Sequence, residues 1–255
     1  MRSGSLIRRI MYAIQSHSPG LISRQLDTLR RPPFSSYSLY GEDALLHGWV
    51  ERLAFEGSPI PHLSYLDVGA WRPVRGSNTY WLYKLGAQGT LVEANPFMIP
   101  LLRRARPRDL IVAAACSNLE TVTLLQFDRT SASNSIHPEF AQVISDQQNI
   151  EVGNKICVPG RSLQTLIEQH MSDFGGLFLL TIDIEGGDDE AILSASWNRA
   201  ARPLFIVAEL AMSIFEDFDR TNAHSYLQSV GYTKIANCGV STVYGDLLAL
   251  KNFNT

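Results

Sequence analysis

Asp183 and Glu185 stand two residues apart at the end of an apolar run, Leu177-Phe-Leu-Leu-Thr-Ile-Asp-Ile-Glu-Gly186. Read as a buried parallel strand, the run carries both acids at its carboxyl end and on one face, with Cα atoms about 7 Å apart by the rise of a strand. Like charges at that separation raise one pKa unless a cation or a hydrogen-bond donor lies between them. Such a pair suits removal of a proton from an alcohol. An unperturbed carboxylate, with a pKa of about 4, is a weak base for that task. A raised pKa, or a divalent ion holding both acid and substrate oxygens, improves the match; if an ion is held, Asp183 and Glu185 are its ligands. The competing reading is a strand-end acid that caps the next helix, whose first turn carries Asp188, Asp189 and Glu190 as dipole partners.

Two upstream segments carry further acids. Ser64-Tyr-Leu-Asp-Val-Gly-Ala-Trp71 reads as a strand, Tyr65 to Val68, that bears Asp67 and runs into Gly69. Thr90-Leu-Val-Glu-Ala-Asn-Pro96 is an apolar strand closing on Glu93. An open α/β sheet binds ligands beyond the carboxyl ends of its strands, where strand order reverses. Asp67 and Gly69 fit the first strand-to-helix turn of such a sheet, and Glu93 fits an acid accepting hydrogen bonds from two ribose hydroxyls. The pair points to a nucleoside cofactor. A dinucleotide needs Gly-x-Gly-x-x-Gly to close backbone amides on its pyrophosphate, whereas Gly69 is followed by Ala70-Trp71-Arg72-Pro73-Val74. Asp67 would also repel a phosphate. S-adenosylmethionine, with an adenosine, a sulfonium and an amino group but no phosphate, meets both conditions. The alternatives are an NAD-dependent oxidoreductase, against which the missing glycines count, and a nucleoside-cofactor-binding protein without turnover.

Alternating strands and helices must hold these residues. Glu42 and Asp43 precede an apolar-periodic helix (Ala44, Leu45, Trp49, Val50, Leu53), where acids suit the helix dipole. A turn at Gly57-Ser-Pro-Ile-Pro61 leads into the first strand. Helices are expected over about Asn78 to Leu85, Phe97 to Arg106, Ser162 to His170 and His224 to Val230. Asp109 to Cys116 reads as the third strand and Leu204 to Leu210 as the fifth, with Lys234–Ala236 and Thr242–Leu250 closing the sheet. Residues 117–160 interrupt this rhythm. Thr121 to Phe127 and Val152 to Val158 alternate like a strand pair around a polar loop, Ser131-Ala-Ser-Asn-Ser135, a setting for substrate contacts. The expectation is one doubly wound, seven-stranded α/β domain over residues 35–255 with an inserted hairpin.

A chain of 255 residues with 45% hydrophobic content sustains one large domain, or one domain with an appendage. A formal net charge of −3 supplies no global field for nucleic acid. Cys116, Cys157 and Cys238 are odd in number and far apart, with neither zinc spacing nor a disulfide framework, so a reducing cytoplasm is the expected location. Residues 1–34 differ in character: six arginines and one acid, Asp27, with Leu6, Ile7, Ile10, Met11 and Ile14 at helical spacing. The apolar run is too short and broken for a signal peptide or a membrane span. A basic amphipathic helix suits an anionic surface, so peripheral contact with the inner face of the membrane stands beside plain packing on the domain. Arg31-Pro-Pro33 ends this appendage.

Five segments together resemble the FkbM family of S-adenosylmethionine-dependent methyltransferases. They are Tyr37-Ser-Leu-Tyr-Gly-Glu-Asp43, Leu66-Asp-Val-Gly-Ala70, Val74-Arg-Gly-Ser-Asn-Thr79, Val92-Glu-Ala-Asn-Pro96 and Ile182-Asp-Ile-Glu-Gly186, in the family's order and spanning about Tyr37 to Leu248. The resemblance implies a class I methyltransferase sheet, Rossmann-like, with an antiparallel seventh strand. It implies O-methylation of a hydroxyl on a glycan, a lipid-linked sugar or a secondary metabolite. By motif match Asp67, Gly69, Asn78 and Glu93 face the cofactor, with Ala70 and Asn95 beside them, and Asp183 lies where the methionine end and the acceptor meet. Two residues depart from the pattern: Leu39 replaces the usual Gln, and Trp71 stands where many relatives carry a small or amide side chain.

Overall fold

The computed structural model describes residues 34–55, 62–197, 202–213 and 217–252; the basic helix expected before residue 34 and the turn at 57–61 lie outside the described residues. In chain order the elements are α1 (Glu42–Phe55), β1 (Ser64–Val68), α2 (Tyr80–Lys84), β2 (Gln88–Glu93), α3 (Ile99–Ala105), β3 (Leu110–Ala113), β4 (Ala115–Cys116) and β5 (Thr121–Gln126). There follow α4 (Pro138–Gln148), β6 (Asn154–Arg161), α5 (Leu163–Phe174), β7 (Leu179–Ile182), α6 (Asp188–Ser194), β8 (Phe205–Glu209), α7 (Asn222–Ser229), β9 (Thr233–Cys238), β10 (Ser241–Gly245) and α8 (Leu247–Asn252).

Seven strands form one sheet in the order β3-β2-β1-β7-β8-β10-β9. β10 runs antiparallel to both β8 and β9, and the other pairs are parallel. β1 and β7 are neighbours, Asp67 opposite Thr181, and the chain winds outward from them in both directions. That reversal opens a crevice at their carboxyl ends. Strands buried on both faces read as continuous apolar runs, and β1 and β7 are buried along their whole length. Leu66, Val68, Leu180, Ile182 and Ile206 face α5, α6 and α7 through Leu166, Ile192 and Leu227. Tyr65, Leu91, Leu179 and Val207 face α1, α2 and α3 through Leu46, Leu82 and Leu102. α5 illustrates the local logic. Ser162 caps its first turn by accepting from the Thr165 N–H, Gly175 ends it in the left-handed region, and Leu163, Leu166, Ile167 and His170 bury one stripe.

Four expectations change. The third strand ends at Ala113, and the Ala114 N–H donates to the Glu93 carbonyl (3.1 Å). Ala115–Cys116 then leaves the main sheet to pair in parallel with Gly160–Arg161 of β6. The expected hairpin is β5 paired antiparallel with β6, so the excursion is a three-stranded sheet rather than a bare hairpin. Its loop also holds α4, started by Pro138 and Glu139 and closed by Asn149 at φ 52°. Finally, the last strand stops at Gly245, because the buried Asp246 accepts from the Ala249 N–H (3.0 Å) and caps α8. Among the described residues no helix is long and apolar enough to cross a membrane.

Candidate active site

β1, β2 and β7 all end at one cleft, bordered by Gly69, Trp71, Glu93, Asn95, Asp183 and Glu185. Gly69 sits at φ 88°, and a Cβ there would lie 1.7 Å from the Asp183 carbonyl oxygen. Only glycine lets the two central turns approach so closely. The Asp183 N–H donates to the Val68 carbonyl, and the Gly69 and Ala70 N–H groups converge on the Val92 carbonyl, all at 3.0 Å.

Glu93 is buried at the tip of β2. One carboxylate oxygen accepts from the Trp71 N–H and the other from the Asn95 N–H, both at 2.7 Å. Burial pushes its pKa up to about 7, against the pull of these two amides. Trp71, held at φ 42°, donates its indole N–H to the Thr130 carbonyl (2.9 Å). Asn95 donates to the Arg129 carbonyl (2.9 Å) and accepts from Gln126 Nε2 (3.1 Å). The two side chains therefore fasten the turn after β1 and the end of β2 to the insertion. The two departures from the FkbM pattern meet here, because Trp71 and Leu39 both border the cleft and flank Gly76.

Asp67 and Asn78 do not border the cleft. Asp67 accepts from Thr79 Oγ1 (2.6 Å), and burial raises its pKa to about 6. Asn78 donates to Thr181 Oγ1 (3.1 Å) on β7. Behind them lies the fully buried Arg106, which sequence reasoning did not single out. Its guanidinium pairs with Asp109 at 2.8 Å and donates to Tyr65 Oη (3.0 Å), Thr79 Oγ1 (3.2 Å) and the Pro73 carbonyl (3.0 Å). This network fixes the turn after β1 from beneath.

The acids after β7 come together by a different route from the one the sequence suggested. The strand stops at Ile182 and Glu185 turns back at φ 58°, so a shared strand face does not relate it to Asp183. Ser135 Oγ, from the insertion, donates to the Glu185 carbonyl (2.6 Å) and holds that turn. The turn brings carboxylate oxygens of Asp183, Glu185 and Glu209 within 4.8 Å of one another. Asp188 joins them electrostatically. It is buried, Oδ2 accepts from the Ile184 N–H (3.4 Å) and Oδ1 has no partner, so it is more than a dipole partner for α6. Burial is the largest cause, and mutual repulsion the next, in raising Glu185, Asp188 and Glu209; burial also raises Asp183. Among the described residues no lysine or arginine pairs with any of the four. Glu209 escaped sequence reasoning, although it closes the apolar run Phe205–Glu209 as Glu93 closes its own.

The family model for the methyltransferase FkbM domain matches residues 67–234, which contain the whole described border of this cleft except Leu39, and all four acids. The chain belongs to the FkbM methyltransferase family. No curated protein matches it. Among solved structures it is similar to a TehB-like SAM-dependent methyltransferase from Corynebacterium glutamicum, at 12% identity over 87% of this chain and 92% of that one (TM-score 0.38). It is also similar to an O-methyltransferase from Bacillus cereus in complex with SAH, at 11% identity over 88% and 95% (TM-score 0.32). The fold assignment rests on the strand order above rather than on these scores. As an FkbM methyltransferase the protein uses S-adenosylmethionine, and the cleft suits that molecule. Its described lining has three acids, no lysine or arginine, and an apolar stretch through Ala114, Ala115, Leu124 and Ile136. A sulfonium and an adenine are compatible with such a lining, whereas a pyrophosphate would find no cation. The oxidoreductase alternative is set aside on both counts.

Proposed function

We propose that this FkbM methyltransferase methylates a hydroxyl oxygen of a neutral, hydroxyl-rich small molecule or glycan unit, with Asp183 receiving the hydroxyl proton. The observation that supports this most is Asp183 itself. Its Oδ1 is enclosed at the carboxyl end of β7 with no donor beyond the neighbouring Glu209 carboxyl, and its backbone lies against Gly69. S-adenosylmethionine supplies an electrophilic methyl group on a sulfonium. Glu93 offers a carboxylate to the ribose hydroxyls, and Gly69 and Ala70 keep the floor beneath the cofactor thin. Asp67, Asn78 and Asn95 hold the walls in place. On the other side of the acid cluster, Phe140, Gly186, Asp188, Glu209, Leu210 and Met212 border a second cleft of about 200 Å³. An acceptor lying there meets apolar surface and carboxylates, which favours hydroxyl groups and repels phosphate or carboxylate.

The test is methyl transfer by the full chain to a panel of hydroxylated acceptors, with products located by mass spectrometry. Asp183→Asn keeps the shape and removes the proton acceptor. It should slow transfer by about 10²–10⁴-fold, the range for loss of a general base, with little change in affinity for S-adenosylhomocysteine. Near wild-type turnover by that variant removes Asp183 from the reaction, and a product methylated on nitrogen or carbon overturns the hydroxyl reading.

A further inference from the structure

We infer that Asp183, Glu185 and Glu209 form a binding site for one divalent cation of the magnesium or manganese type, with Asp188 Oδ1 as a further acidic oxygen beside it. Three carboxylate oxygens within 4.8 Å of one another match the spacing around such an ion. Metal–oxygen distances of roughly 2.0–2.6 Å place ligand oxygens about 3–5 Å apart. An all-oxygen, all-anionic donor set selects a hard cation over zinc or copper.

Clustering alone would not point to a ligand, because acids also gather on solvated surfaces. Two atoms make the difference. Asp188 is only 3% exposed, yet its Oδ1 has no donor, and it borders the same cleft as Glu209. Asp183 Oδ1 is likewise enclosed, and the group that shares a hydrogen bond with the Asp183 side chain is another acid, Glu209. Buried carboxylate oxygens are normally satisfied, and each one left bare costs free energy that a bound cation would recover. The backbone of the turn is also committed to this arrangement. Glu185 is held at φ 58°, and Ser135 from the insertion locks its carbonyl.

The site lies between the cofactor cleft, bordered by Asp183 and Glu185, and the second cleft, bordered by Glu209 and Asp188. An ion there would take an acceptor hydroxyl as a ligand and lower its pKa, while a carboxylate giving one oxygen to the ion keeps the other for the proton. That role rests on the proposed O-methylation; occupancy of the site does not.

Binding is therefore measured without turnover, by loss of the free Mn²⁺ EPR signal on titration with the full chain. One ion per chain is expected, displaced by Mg²⁺. Glu209→Gln and Asp183→Asn should each weaken binding at least tenfold, while affinity for S-adenosylhomocysteine persists and reports an intact fold. Thermal melting supplies the second readout. Mn²⁺ should raise the wild-type Tm, and Glu209→Gln should abolish that increment. A wild-type protein that takes up no Mn²⁺ at millimolar concentration, or a Glu209→Gln variant that binds it as wild type does, overturns the site whatever the acceptor proves to be.

Discussion

Glu93 spends both carboxylate oxygens on backbone amides, and this makes it a sensor of its own protonation. Two charge-assisted bonds to a ribose would be worth roughly 3–6 kcal/mol before losses. Glu93→Ala should therefore weaken S-adenosylmethionine binding at least tenfold by calorimetry, without unfolding the domain; an unchanged dissociation constant removes Glu93 from the cofactor site. The pH dependence follows from its pKa, lifted from 4.5 to about 7 by burial. Stability contributed by the neutral carboxyl is fully present below pH 4.5 and is lost as pH rises through 7. Ligand-free wild type should accordingly lose denaturation midpoint relative to Glu93→Gln across that window. Affinity for S-adenosylhomocysteine should run the other way, improving up to about pH 7 in wild type and staying flat in the variant. Gly69 offers a sharper steric test. Gly69→Ala places a methyl 1.7 Å from the Asp183 carbonyl oxygen at φ 88°. Strain at such a position costs about 1–3 kcal/mol before the clash is relieved, so urea unfolding should show a loss of at least that size.

At the scale of elements, the inserted sheet belongs to the cleft as one of its walls. Asn95 joins Arg129 and Gln126 of the insertion to the tip of β2, and Trp71 joins Thr130. Asn95→Ala would strand the buried Gln126 Nε2, an unmet group costing about 1–3 kcal/mol. It should destabilise the domain by a few kcal/mol and loosen cofactor binding, whereas a variant that melts and binds as wild type refutes the latch. How far the sequence reveals these elements follows from their physics. The parallel strands are legible because burial on both faces makes them continuous apolar runs ended by an acid or glycine, as in Tyr65–Val68 and Thr90–Glu93. α4 is harder to see. Its start signals, Pro138 and Glu139, follow a Ser- and Asn-rich stretch, and its buried face is only Ala141 and Ile144. The meeting of Glu185 with Glu209 is illegible locally. It depends on a left-handed turn at a non-glycine residue and on a Ser135 hydroxyl 50 positions away in the chain. Arg106 is hidden for the same reason, since its partners Tyr65, Thr79 and Asp109 are collected only by folding.

Over the whole molecule, charge is divided unevenly. The six arginines and single acid of residues 1–34 leave 16 basic and 24 acidic residues on 35–255, a formal charge of −8 against +5 for the appendage. The described lining of the cofactor cleft begins at Leu39, and Phe34 packs its ring on His47 at 4.4 Å, so removal of residues 1–33 leaves that contact in place. Truncation should therefore preserve affinity for S-adenosylhomocysteine. An anionic lipid surface would repel the acidic domain and attract the appendage, with about 1 kcal/mol per basic residue near the surface, falling off within a Debye length. If the appendage brings the enzyme to a membrane-borne acceptor, flotation with liposomes should need anionic lipid, fall between 50 and 300 mM salt on the order of the screening expected, and vanish on truncation. Transfer to a soluble acceptor should be unaffected by the same truncation. Absence of flotation of the full chain at low salt sinks the membrane role. A truncated chain that floats as well as the full one assigns any membrane contact to the domain itself, against the repulsion its −8 charge predicts.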